Sequence, residues 1–175
     1  MKIMTLILLL FSIGINAKEY TVKKRKLSLK VSFDISSEYE AKSKFLNTPF
    51  LIWNKTLKHH GPSIGLFPMQ KLPKHALSTK ALSSNLSSFK KEKEANLKTL
   101  KATDITFGKL DLKSDRAIYT YRYVLPGKVS VYSTEVLMKC SGKGLRIKSV
   151  VKKADYEKFK PMIDGFFSSV KCLKN

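Results

Sequence analysis

The chain has 175 residues, with 34 lysines and arginines against 13 acids, a formal charge of +21 and a hydrophobic share of 43%. That length and apolar content suit one domain with its own core. Only four of the basic residues are arginine (Arg25, Arg116, Arg122, Arg146), so the charge points to delocalised attraction to a polyanion. It points away from sequence-specific nucleic-acid binding, which relies on the guanidinium fork.

Met1-Lys2 is a short charged start. An apolar run from Ile3 to Ile15 follows and ends at Ala17, before Lys18-Glu19. This is the layout of a cleavable secretory signal over residues 1–17, with one α+β domain expected over 18–175. Cleavage near Ala17 would place the protein in the periplasm or outside the cell. The new first residue would be Lys18 rather than a cysteine, which argues against a bacterial lipid anchor. No later apolar run approaches the roughly 20 residues of a membrane-spanning helix, so no integral span is expected in the mature chain.

Leu27, Leu29, Val31, Phe33 and Ile35 alternate with Ser28, Lys30, Ser32 and Asp34, which predicts a strand with one buried face. Ser37 and Glu40 have capping-box spacing and predict a short helix over Ser36–Glu40. Asn47-Thr48-Pro49 breaks the chain. Short strands are expected over Phe50–Trp53 and Ser63–Phe67, with His59-His60-Gly61-Pro62 in the loop between them. The pattern turns helical over His75–Lys101, with Leu82, Leu86, Phe89, Leu97 and Leu100 near one face.

Strands are expected again over Ile105–Leu112, Ala117–Leu125, Val129–Cys140 and Leu145–Val151. Pro126-Gly127 fits a type II turn between two of them. Four strands joined by short turns predict an antiparallel meander. A helix over Asp155–Lys171 closes the chain, with Asp155 as its N-cap and Pro161 as a kink or a second start. Its Tyr156, Phe159, Ile163, Phe166 and Val170 share one face, which the meander is expected to cover.

This order of elements resembles the PsbP-like α/β sandwich. An early amphipathic strand leads to short strands around a Gly-Pro turn, here Gly61-Pro62-Ser63-Ile64. A helical middle and a meander follow, then a C-terminal helix ending in Phe166-Phe167-Ser168-Ser169-Val170. The resemblance implies an antiparallel sheet meander packed against a C-terminal helix and a central helix. It also implies mostly non-enzymatic accessory or binding roles, without a shared catalytic set. The extrinsic photosystem proteins of that family assist metal and ion retention, but nothing in this chain matches such a site residue by residue.

Cys140 and Cys172 are the two cysteines. In an exported chain an even pair reads as a disulfide; it would close a loop of roughly 33 residues, worth about 3–4 kcal/mol in the chain-entropy model. A catalytic thiol is the alternative, but no histidine lies near either cysteine in sequence.

The charge is unevenly placed. No acid lies between Glu40 and Glu92, a stretch that holds nine lysines, among them Lys42, Lys44, Lys55, Lys58, Lys71 and Lys74. These six are the candidate anion-binding residues. Lys23-Lys24-Arg25-Lys26 is a second cluster, and the acid-free Lys139–Lys153 is a third. The partners these imply are an anionic envelope lipid or polymer, or an acidic protein.

Tyr119, Tyr121 and Tyr123 share one face of a strand. Exposed, they would form an aromatic platform; buried, they are core, and the core or rim reading is the one their place in a meander favours. His59, His60 and His75 match no zinc spacing, so no metal site is expected, and no cofactor. Asn54-Lys55-Thr56 and Asn85-Leu86-Ser87 are glycan acceptor sequons that matter only in a eukaryotic host.

No nucleophile elbow, phosphate loop or dinucleotide fingerprint is present, so no catalytic residue is assigned. The function expected is an exported, non-enzymatic binding or accessory protein. The alternatives are a hydrolase of envelope polymers, which would pair Asp104, Asp111 or Asp115 with a histidine in a cleft, and an inhibitor or immunity protein against a secreted effector.

Overall fold

A computed structural model describes residues 17–45, 47–58, 61–72, 76–78, 82–140 and 142–174. The expected signal segment, apart from Ala17, lies outside them, as do His59, His60, His75, Lys74 and Lys80. The chain opens with a hairpin of β1 (Lys18–Lys24) and β2 (Leu27–Phe33). Three strands follow: β3 (Tyr39–Phe45), β4 (Thr48–Asn54) and β5 (Ser63–Met69). Helix α1 (Leu82–Thr99) leads into β6 (Thr103–Phe107), β7 (Asp111–Leu112), β8 (Arg116–Leu125), β9 (Val129–Cys140) and β10 (Lys143–Lys152). A single 3-10 turn precedes α2 (Tyr156–Ser169), and the short β11 (Lys171–Cys172) follows it.

The expected meander is present: β8, β9 and β10 are antiparallel neighbours, with β6 and β7 both on the outer side of β8. The larger sheet runs in the order β3-β4-β5-β10-β9-β8-β6, and β1-β2-β11 form a second, smaller sheet. Gly127 at φ +81 occupies the left-handed position that a type II turn demands.

Three local expectations are corrected. Residues 37–38 form a turn and Tyr39 already begins β3, so no helix forms over 36–40. Asp155 sits at the N-cap of α2 but its side chain makes no capping bond. The strand expected over Ile105–Leu112 is split at Gly108, whose N–H donates to the Thr120 carbonyl at 2.8 Å. A Cβ on Gly108 would stand 2.2 Å from Thr120 Oγ1, so only glycine permits that approach.

Two cores lie on opposite faces of the larger sheet. One is filled by β2, α2 and the inner residues of β4, β5, β9 and β10, with Phe33, Ile52, Leu66, Ile147, Ile163 and Phe166 all buried. Phe33 and Phe166 meet edge to face at 5.0 Å. Ile163, Phe166 and Phe167 carry the burial of α2, whereas Phe159 is half-buried. The Cys140–Cys172 disulfide, with Cα atoms 5.3 Å apart, ties the end of β9 to β11 just beyond α2. The second core lies under α1 and contains Phe89, Leu97, Tyr119, Tyr121, Tyr123, Val131 and Leu137.

Candidate functional site

The face of the larger sheet turned towards α1 is unequally covered. Over β8 and β9 the helix seals it. Phe89 stacks on Tyr119 at 3.9 Å, and Tyr121 is 1% exposed. Alternation along β8 sends Tyr119, Tyr121 and Tyr123 beneath α1, so of the two readings the core one holds and the exposed aromatic platform does not. Burial pushes each of their phenols above the ordinary tyrosine range.

The Tyr121 hydroxyl donates to Glu135 Oε1 at 2.6 Å, and Lys93 of α1 forms an ion pair with Glu135 at 3.0 Å. Lys148, which lies opposite Glu135 in the ladder, has its ammonium pushed down by burial. This polar cluster joins helix to sheet.

Over β3 and β4 no helix among the described residues covers the same face. Phe45, Leu51 and Trp53 belong to neither core. Glu40 faces Trp53 in the ladder and Lys42 faces Leu51, so these side chains share the outer face. Lys44, at φ +54 and opposite Pro49, interrupts the alternation where proline has no N–H to donate. Phe45 thereby turns onto the same face and stacks on Trp53 at 4.7 Å with an interplanar angle of 17°. The Lys42 ammonium sits 5.1 Å from the Trp53 ring centroid and 5.6 Å from that of Phe45, and is held by Glu40 at 3.0 Å.

The wall of this groove is the loop after β4. Asn54 Oδ1 accepts from the N–H groups of Thr56 (3.0 Å) and Leu57 (2.9 Å), an Asx turn that fixes the loop. Asn54 is 5% exposed and committed to that turn, so the first sequon offers no glycan acceptor. Lys55 donates from its side chain to the Ser37 carbonyl and from its backbone to that of Glu38. Lys55 and Lys58 line the groove with Lys42, Phe45, Leu51 and Trp53, around a volume of about 660 Å³.

Of the six lysines singled out in the sequence, the fold therefore gathers Lys42, Lys55 and Lys58. Lys44 is exposed on β3 but does not line the groove. Lys71 follows the far end of β5, and Lys74 lies outside the described residues. Trp53 and Phe45 were not singled out as site residues. The run Phe50-Leu51-Ile52-Trp53 reads as a strand buried on both faces, and only the reach of α1 decides that one face stays open.

The carboxylates that the hydrolase alternative needs fall in two clefts, and the histidines it would pair them with lie outside the described residues. Asp111 and Asp115 line a cleft beside α2 together with Asp164, while Asp104 lines a different one. Asp115 accepts from Arg116 Nε at 3.0 Å, and this guanidinium holds its carboxyl below the usual range. Asp164 is paired with Lys160. An acid held ionised in this way is a poor proton donor at neutral pH. Among the described residues, no cluster of three or more histidine, cysteine or acidic side chains is arranged to hold a metal, and no helix is long and apolar enough to cross a membrane.

An antiparallel sheet with one helix on each face, and a small second sheet beside the C-terminal helix, is the PsbP-like α/β sandwich. No protein-family model matches the chain, and no curated protein matches it in sequence. Among solved structures it is similar to the cyanobacterial PsbP (CyanoP) of Synechocystis, with a TM-score of 0.61 and 11% identity over 93% of this chain and 96% of that one. It is also similar to LpqN of Mycobacterium tuberculosis, a protein involved in cell envelope biogenesis (TM-score 0.57, 12% identity, 91% of this chain and 92% of that one). The Ran-binding protein Mog1p of Saccharomyces cerevisiae gives a TM-score of 0.54 at 10% identity, over 89% of this chain and 95% of that one. At such identities the likeness defines the fold and nothing finer.

Proposed function

We propose that this protein is an exported, non-enzymatic accessory protein that holds an anionic component of the cell envelope in the groove over β3 and β4. The observation that carries the reading is the Phe45–Trp53 stack, left outside both cores with the Lys42 ammonium over it. An exposed aromatic surface rimmed by cations suits a ligand that joins negative charge to a flat or apolar body. The disulfide supports a location outside the reducing cytoplasm. The role of LpqN in cell envelope biogenesis supports the same compartment by analogy of fold.

The test is co-sedimentation with vesicles of anionic lipid or with lipopolysaccharide, beside neutral vesicles, at several salt concentrations. Each lysine near an anionic surface contributes about 1 kcal/mol, and the attraction fades within a Debye length of about 8 Å at physiological salt. Changing Lys42, Lys55 and Lys58 together to Glu weakens binding far more than the same change at Lys152, Lys153 and Lys158. Equal loss in both triples, or equal binding to neutral vesicles, refutes the groove as the site.

A second reading is an acidic protein partner. It is favoured by β3, which among the described residues ends the larger sheet and presents Lys42 and Lys44 along its outer edge. The binding of Ran by Mog1p agrees with it by analogy of fold. Salt-sensitive capture of one acidic protein by the mature chain, without vesicle binding, would favour this reading.

A further inference from the structure

The second and third basic clusters of the sequence meet in space at the Met69 end of β5. Lys24, Arg25 and Lys26 from the β1–β2 turn face Lys143 of β10 across a cleft of about 830 Å³, with Pro68 and Met69 on its floor. We propose that this cleft is a second anion site, and that it takes a phosphate group.

Three observations carry the assignment. The first is the turn itself. Lys24 pairs with Leu27, so Arg25 and Lys26 form a two-residue hairpin loop, and Arg25 stands at φ +55. Glycine or asparagine adopts that conformation most readily. The lysine-rich composition does not explain an arginine there, because the chain has only four. Among the described residues five basic side chains hold a positive φ, and Arg25 is the one arginine among them.

The second observation is that this guanidinium is free. Arg116 is spent on Asp115 and on the Phe167 carbonyl, and Arg146 lies over the Phe67 ring at 4.8 Å. Arg25, like Arg122, is exposed and has no hydrogen bond or ion pair among the described residues, and of the two it is Arg25 that faces other cations across this cleft, so its planar fork is open to two oxygens of one phosphate.

The third is that the walls are tied. Lys143 pairs with Cys140 in the ladder, Cys140 is bridged to Cys172, and Cys172 pairs with Val31 of β2. Lys143 Nζ also donates to the Ser28 carbonyl at 3.3 Å. The disulfide therefore joins the two elements that carry the cations, and the cleft is preorganised. The cleft and the groove share no lining residue, so this proposal can be tested apart from the proposed function.

The probes are inorganic tripolyphosphate, titrated calorimetrically at constant ionic strength, and vesicles containing phosphatidylglycerol, followed by co-sedimentation. Arg25→Gly suits φ +55, so it should leave the thermal midpoint unchanged or raised while weakening affinity by about tenfold, the equivalent of one or two charge-assisted contacts. Lys143→Gln should weaken it too. Lys128→Gly is the control, since it removes one charge from an exposed residue at φ +61 on another loop and should leave affinity as it was. Tripolyphosphate binding alone identifies a soluble phosphate as the ligand, and vesicle binding alone identifies a lipid headgroup; both support the site. An equal loss in Arg25→Gly and Lys128→Gly would show a net-charge effect only and overturn it, as would the absence of binding to either probe.

Discussion

One face of one sheet is built in two ways. Beneath α1 it carries aromatic side chains, a buried carboxylate and the Lys93 ammonium, all enclosed. Over β3 and β4 it carries the same chemistry, with two aromatic rings, a carboxylate and lysines, but open to solvent. The covered half shows what these groups do when they serve the fold. The rings stack on the helix, and the Glu135 carboxylate is satisfied by Tyr121 and Lys93. In the open half the corresponding groups contact one another and no second layer. Their contribution to folding is correspondingly small, and binding is the remaining use for such a surface.

Substitutions that break the covered regions should have the largest effects. Glu135→Leu removes the buried partner of Lys93 and leaves it only the exposed Glu92 at 3.5 Å, which should cost about 3 kcal/mol. Lys93→Met in the same chain should restore much of the loss, as seen in urea denaturation. On the other face, Phe166→Ala should cost about 3–5 kcal/mol by emptying the contact with Phe33. An unchanged thermal midpoint would contradict its place in the core.

The disulfide comes next. Cys140→Ser with Cys172→Ser should lower stability by about 2–4 kcal/mol. Intact mass after alkylation, with and without reduction, should differ by two blocked thiols.

The covered half should also fail at high pH. The phenols of Tyr119, Tyr121 and Tyr123 are raised by burial above the ordinary value of 10.0. The unfolded chain therefore loses these protons first. Stability from them is complete below pH 10 and is lost as pH climbs towards their folded values. Lys148, lowered from 10.5, acts in the opposite sense, gaining stability as pH rises from its folded value to 10.5. Three tyrosines outweigh one lysine, so the thermal midpoint should fall above pH 10, with tyrosinate absorbance appearing together with unfolding. Free titration of these tyrosines in the folded protein would contradict their burial.

Trp53→Ala should have the smallest effect on stability, under about 1 kcal/mol, because the ring lies outside both cores.

The covered regions were the legible ones. Strict alternation marked β2, β8, β9 and β10, and three-and-four spacing marked α2, because both patterns record a buried face. The strands missed were β1, β3 and the two-residue β11, all at sheet edges. In Lys18–Lys24 only Val22 is buried, and in Tyr39–Phe45 only Tyr39 is, so no period shows. The capping-box spacing of Ser37 and Glu40 then favoured a helix that does not form. The acid-free belt was visible as composition, but its division between the two ends of β5 is a fact of topology. Trp53 carried no signal, since exposure there depends on where α1 stops.

Trp53 is the only tryptophan in the chain, which makes the groove observable by its own emission. Titration with anionic vesicles at low salt should shift that emission to the blue, salt should reverse the shift, and neutral vesicles should produce none. Binding of anionic vesicles without any change at Trp53 would place the ligand elsewhere and contradict the groove as the functional site.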